Sequence, residues 1–156
     1  MKNLIQRIKS SLWPQPKPQL NPGEIRTLEE AALIVADWWI DKSFNTRFNQ
    51  DNGDGSSAGR ETMFLANFLS HTAQAEVRDR NINDFRDYLV SSIVALDRER
   101  YKIHLSCDYD PSPLLAEAAE KAGIDPRCFP CKSWSNIEPD NSVRVSYGYR
   151  GEVITL

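Results

Sequence analysis

Up to about residue 100 the apolar residues recur every three or four positions, and from residue 101 they alternate with polar ones. The pattern therefore predicts helices first and strands afterwards. The opening MKNLIQRIKSSLW places Leu4, Ile5, Ile8 and Leu12 on one face and Lys2, Arg7 and Lys9 elsewhere, a short basic amphipathic helix over residues 1–13. Pro14, Pro16, Pro18 and Pro22 cannot continue a helix and favour an extended path, which makes residues 14–24 a Pro-rich linker. The domain proper, residues 25–156, opens on Thr27-Leu28-Glu29-Glu30. There the Thr hydroxyl and the Glu carboxylate each satisfy the other's backbone N–H, a capping box that starts a helix over 28–43. Leu28, Ala31, Ala32, Val35, Trp38 and Trp39 give this helix a broad apolar face, with both adjacent rings expected in the core or at its rim. A second helix is predicted within ETMFLANFLSHTAQA, where Phe64, Phe68 and His71 share a face. A third follows Asn81 or Asn83, carried by Ile82, Phe85, Leu89, Ile93 and Leu96.

Tyr101, Ile103, Leu105, Cys107 and Tyr109 then alternate with Lys102, His104, Ser106 and Asp108, the pattern of a half-buried strand. In DPSPLLAEAAEKAGI, Ser112 stands as N-cap, Pro113 at the first helical position and Gly123 as the stop. Residues 127–135 and 143–149 read as two strands around the turn EPDN, with Val143, Val145, Tyr147 and Tyr149 on one face, and 153–156 as a last short strand. The expected fold is α+β: three N-terminal helices followed by a β-α-β-β unit that forms a small sheet.

Composition narrows the function classes. A chain of 156 residues with 40% hydrophobic content is long enough to bury roughly 70% of its unfolded surface as one domain. A net charge of −3 argues against general nucleic-acid binding, which asks for a basic face. Three cysteines, an odd number, suit a reducing compartment and thiols better than a disulfide framework. No apolar run approaches the roughly 20 residues that span a bilayer, so a soluble, cytoplasmic protein is expected. The N-terminal helix has the charge pattern for weak contact with a membrane surface or a partner, although packing onto its own domain is the commoner outcome.

Four residues offer a metal site: His104-x-x-Cys107, a long spacer, then Cys128-x-x-Cys131, two paired sets of zinc ligand types. Against this, residues three apart on a regular strand face opposite ways, so a bulge is required at His104 and Cys107. The competing reading is of strand cysteines acting as small hydrophobes. Cys128 and Cys131 make a poor redox pair, because they lack the helix N-terminus that lowers a thiol's pKa. QDNGDGSSAGRE nearly fits a calcium loop, with Asn52, Asp54, Gly55 and Glu61 in place but Gln50 at the first position. No cofactor is expected beyond a structural zinc. No nucleophile elbow, phosphate-cradling glycine loop or paired-histidine zinc motif is present, which leans away from an enzyme. What does gather at strand ends and turns is a set of recognition groups: Asp108, Tyr109, Asp110, Lys132, Trp134, Tyr147, Tyr149 and Arg150. Aromatic rings beside cations are common binding anchors.

The order of short motifs from residue 28 onward resembles a group of small proteins associated with phages and prophages. It runs Trp38-Trp39, Asp51-Asn52-Gly53-Asp54, Asp108-Tyr109-x-Pro111, LLAEAAEKAGI, Phe129-Pro130-x-Lys132 and Tyr147-Gly148-Tyr149. In that group the position of Cys131 resembles an aromatic one, so the chain departs there and CFPC falls outside the shared pattern. The resemblance implies a mobile-element origin but no chemistry. Together with small size and acidity it leads to the expectation of a non-enzymatic binding protein that captures a host protein or small signalling ligand and so antagonises a host defence system. Two alternatives are a small metal-dependent hydrolase or transferase using Asp108, Asp110 and the Asp51 loop, and a structural zinc adaptor.

Overall fold

A computed structural model describes residues 26–45, 65, 68–69, 72–73, 77–96, 102–148 and 151–156. The expected helix over 1–13, the linker over 14–24 and the loop around Asp51 lie outside the described residues. The fold is α+β. Helix α1 spans Leu28–Ile40 and continues as a wider π-type turn over Asp41–Asn45. Helix α2 spans Asp79–Val94, strand β1 Ile103–Cys107 and helix α3 Pro113–Lys121. A single 3-10 turn, Pro126–Cys128, precedes β2 (Ser133–Ile137), β3 (Val143–Ser146) and β4 (Ile154–Thr155). Of the helix expected between α1 and α2, residues 65, 68–69 and 72–73 are helical. Phe68 there is 56% exposed, and its expected face-mates Phe64 and His71 lie outside the described residues.

The local signals act as elementary chemistry requires. Thr27 N–H donates to Glu30 Oε2 at 2.7 Å and Glu30 N–H to Thr27 Oγ1 at 3.2 Å, the capping box of α1. At the end of α3, Gly123 takes φ +68°. Its N–H donates to Glu120 at 3.0 Å while Ile124 N–H reaches back to Ala119 at 2.8 Å, closing a Schellman motif over buried Ile124. Asn81 ties two helix ends together: its Oδ1 accepts from Arg78 N–H at 3.2 Å and its Nδ2 donates to the Ala122 carbonyl at 2.8 Å.

The four strands form one antiparallel sheet in chain order, β1-β2-β3-β4. Helix α3 therefore connects antiparallel neighbours, Cys107 pairing with Ser133 and Ile103 with Ile137. One face of the sheet supplies Ile103, Leu105, Cys107, Ile137, Val143 and Val145 to a core shared with α1, α2 and α3. At its centre Phe129 meets Trp39 edge-on at 5.8 Å and Phe85 at 5.5 Å, and Trp38 stands edge-on to Trp39 at 5.0 Å. Trp39 Nε1 donates to Ser135 Oγ at 2.9 Å, a buried bond that locks α1 onto β2. The other face carries His104, Ser106, Trp134, Asn136 and Arg144, as the period of two demands.

Helix α2 starts at Asp79, ahead of the expected Asn81 or Asn83, and three strand boundaries differ from the expected ones. The strand expected over 127–135 begins only at Ser133, because Asp125 accepts from Arg127 N–H at 2.9 Å and Pro126 starts a helical turn. The strand expected over 143–149 ends at Ser146, where Gly148 turns with φ +76°. Tyr109 lies beyond the end of β1 and is exposed rather than buried. In the β2–β3 turn Asn141 takes φ +65° and its Nδ2 donates to the Arg26 carbonyl at 2.6 Å. Arg26 Nη1 in turn donates to the Leu156 backbone oxygen, so the two ends of the described domain meet at one corner. No helix among the described residues is long and apolar enough to cross a membrane.

Candidate functional site

The loop Asp108–Pro111 leaves the end of β1 and returns at once to its own base. Ser112 N–H donates to the Ser106 carbonyl at 2.7 Å, and Ser106 N–H donates to Ser112 Oγ at 3.3 Å. Cys107 and Pro111 form a bridge between these two bonds. Ser112 does precede α3 as expected, but its hydroxyl closes the loop and makes no bond to the helix's first turn. A loop clamped in this way must turn Asp108, Tyr109 and Asp110 outward, and all three are exposed.

Lys132 crosses to this loop from the turn before β2. It occupies the left-handed region at φ +57°, and its N–H donates to the Asp108 carbonyl at 3.1 Å. Its ammonium ion-pairs with the Asp108 carboxylate and lies 4.2 Å from the centre of the Tyr109 ring. Tyr109, 54% exposed, is thereby held in place while its ring still faces water. Left-handed backbone is costly for a residue with a side chain, about 1–2 kcal/mol. The two Asp108 bonds and the ring contact offset that cost.

The remaining predicted recognition groups stand apart from this cluster. Trp134 is half-buried on the outer sheet face, its ring 6.4 Å from that of His104. Tyr147 packs against the core, where burial pushes its phenol up, and Lys42 sits 5.7 Å from its ring centre. Tyr149 and Arg150 lie outside the described residues. The expected set of eight thus resolves into a compact cluster of Asp108, Tyr109, Asp110 and Lys132, with Trp134 and Tyr147 placed elsewhere.

The proposed metal ligands separate as well. His104 and Cys107 belong to a regular strand and face opposite ways. His104 Nδ1 lies 2.6 Å from the Asn136 amide oxygen, a contact within the outer sheet face. The three cysteines are buried and no disulfide joins them. Cys128 belongs to the apolar core, and that burial pushes its thiol up to about 12. The Cys107 thiol donates to the Phe129 carbonyl at 3.9 Å. Its hydrogen bond to Cys131 raises the pKa of Cys107 and lowers that of Cys131, with Lys132 lowering Cys131 further. Among the described residues no group of three or more His, Cys, Asp or Glu side chains is arranged to hold a metal ion. The near-calcium loop, Asp51 and His71 lie outside the described residues.

Three serines have parts here that the sequence did not signal. Ser133 is buried, and its Oγ accepts from Gly148 N–H at 3.0 Å while donating to the Cys131 carbonyl at 3.4 Å, which fixes the turn that aims Lys132. Ser106 and Ser112 make the loop clamp, and only the crowding of DYDPSP hinted at it. No family model, curated protein sequence or solved structure matches the chain.

Proposed function

We propose that the chain is a non-enzymatic binding protein that engages a host protein or small ligand through Asp108, Tyr109, Asp110 and Lys132. The observation that carries this reading is Tyr109: a large ring, mostly exposed, held over Lys132 on a loop clamped at its base. An aromatic group already immobilised loses little further freedom on binding, which is why such residues dominate interface energetics. The cluster's one net negative charge, Asp110 beside the Asp108–Lys132 ion pair, favours a partner with basic groups. The motif resemblance supports a search among host defence factors, which a protein of mobile-element origin would antagonise.

The test uses the full chain as bait against a lysate of its host and against a panel of nucleotide ligands, with Tyr109→Ala alongside. Tyr109→Ala should weaken the complex about 30-fold, the loss of an anchor worth about 2 kcal/mol, with no change in thermal midpoint. A complex indifferent to Tyr109→Ala, or no complex at all, would sink the proposal.

A further inference from the structure

We infer that the loop Asp108–Pro111 docks an arginine side chain of a protein partner, whose guanidinium stacks on the open face of Tyr109 and pairs with the Asp110 carboxylate. Resting on Tyr109 as the anchor proposed above, this narrows the captured molecule from a host protein or small ligand to a protein. Lys132 takes one face of the ring, its ammonium 4.2 Å from the centre. With Tyr109 54% exposed, the opposite face is left to water. An aromatic face carries the negative end of the ring's quadrupole, so it attracts a cation and repels an anion.

The charges around the ring select the sign of the ligand. Lys132 is already engaged: its ammonium is ion-paired with Asp108, and its side chain is only 21% exposed. Asp110 is exposed, and among the described residues no ion pair reaches its carboxylate. A nucleotide or other phosphate would bring its charge against Asp108 and Asp110 with no unengaged cation in the cluster to meet it. A partner's cation meets the ring and the carboxylate together, and the Asp108–Lys132 pairing screens it from the lysine beneath. Between the two cationic side chains, shape favours arginine. A guanidinium is planar and weakly hydrated, so it lies flat on a ring while its edge gives two N–H groups to a carboxylate. A lysine ammonium is a compact, strongly hydrated point charge and gains less from each contact. Asp110 follows Tyr109 in a loop closed by Ser112 N–H to the Ser106 carbonyl at 2.7 Å and Ser106 N–H to Ser112 Oγ at 3.3 Å. Lys132 N–H holds the Asp108 carbonyl at 3.1 Å on the other side. Ring and carboxylate are therefore presented on one braced segment before the partner arrives, which lowers the ordering cost of binding.

The experiment titrates the isotope-labelled full chain with two blocked tripeptides, acetyl-Gly-Arg-Gly-amide and acetyl-Gly-Lys-Gly-amide, at matched ionic strength, following amide and tyrosine-ring signals by NMR. The arginine peptide should shift Tyr109 and Asp110 saturably and bind about three- to fivefold tighter than the lysine peptide, the worth of one exposed cation–π or carboxylate contact. Asp110→Asn should weaken it by a similar factor and Tyr109→Ala should remove it, with the remaining signals of both variants unmoved because both positions are exposed. Equal binding of the two peptides, indifference to Asp110→Asn, or no saturable shift at the loop would each overturn the inference. The pull-down decides the anchor separately: a host complex lost with Tyr109→Ala but kept in full with Asp110→Asn refutes the arginine and leaves the anchor standing.

Discussion

Ser135→Ala removes the acceptor of the Trp39 indole N–H and nothing larger than one oxygen. Both side chains are fully buried and their bond measures 2.9 Å, so the orphaned donor cannot turn to water. Leaving a buried donor unsatisfied costs about 1–3 kcal/mol, more than the net worth of the bond, because the whole desolvation penalty returns. For a chain of this length that lowers the thermal midpoint by roughly 2–4 °C per kcal/mol. Trp39→Phe should cost more, since it also empties part of the space against Phe129 and Trp38. The double variant should then lose about 1 kcal/mol less than the sum of the singles, because Ser135→Ala has no indole N–H left to strand. Urea unfolding of the four proteins measures the cycle. If Ser135→Ala leaves the midpoint unmoved, or if the two changes add without coupling, α1 is not locked onto β2 by this bond and the reasoning fails.

Phe129→Ala should cost about 3–5 kcal/mol, because the ring touches both Trp39 and Phe85, and near-UV circular dichroism should report the loss of aromatic order. Gly123→Ala should cost about 1 kcal/mol through left-handed strain alone, since the added Cβ would stand 3.4 Å from Asn81 Nδ2, an ordinary contact; the urea midpoint checks it. Asp125 is held below the usual carboxylate range, chiefly by its side-chain bonds to Arg127. A depressed folded pKa gives stability that is present above the ordinary aspartate value of about 3.9 and is lost as pH falls through the folded one. Asp125→Asn should therefore cost under about 1 kcal/mol at neutral pH, as suits an exposed pair, and nothing at the acid limit; a pH series of urea midpoints decides it.

The elements that could be read in advance were those fixed by nearest neighbours. Phe85, Leu89 and Ile93 reached the core because three- and four-residue steps stack on one helix face, and Ile103, Leu105 and Cys107 because strand neighbours alternate. The caps at Thr27 and Gly123 were legible for the same reason. What escaped was set by distance along the chain. Cys128-Phe129-Pro130-Cys131 has the apolar density of a strand, and only the space between Trp39 and Phe85 explains why it turns and inserts its ring. Lys132 and Asp108 are joined across a helix that separates them in sequence, so the cluster was legible as residue types but not as a grouping. His104 and Cys107 could be doubted as joint ligands from strand geometry alone, and their faces do differ.

The corner where Arg26 holds the Leu156 oxygen and Asn141 holds the Arg26 carbonyl has a mechanical consequence. A load applied between Arg26 and Leu156 meets β4, a strand of two residues, end-on. Its bonds to β3, beginning with Leu156 N–H to the Val143 carbonyl at 2.9 Å, would then break one after another instead of sharing the force. The domain should peel from its last strand at low tension, while the sheet inward of β3 stays shielded until that edge has gone.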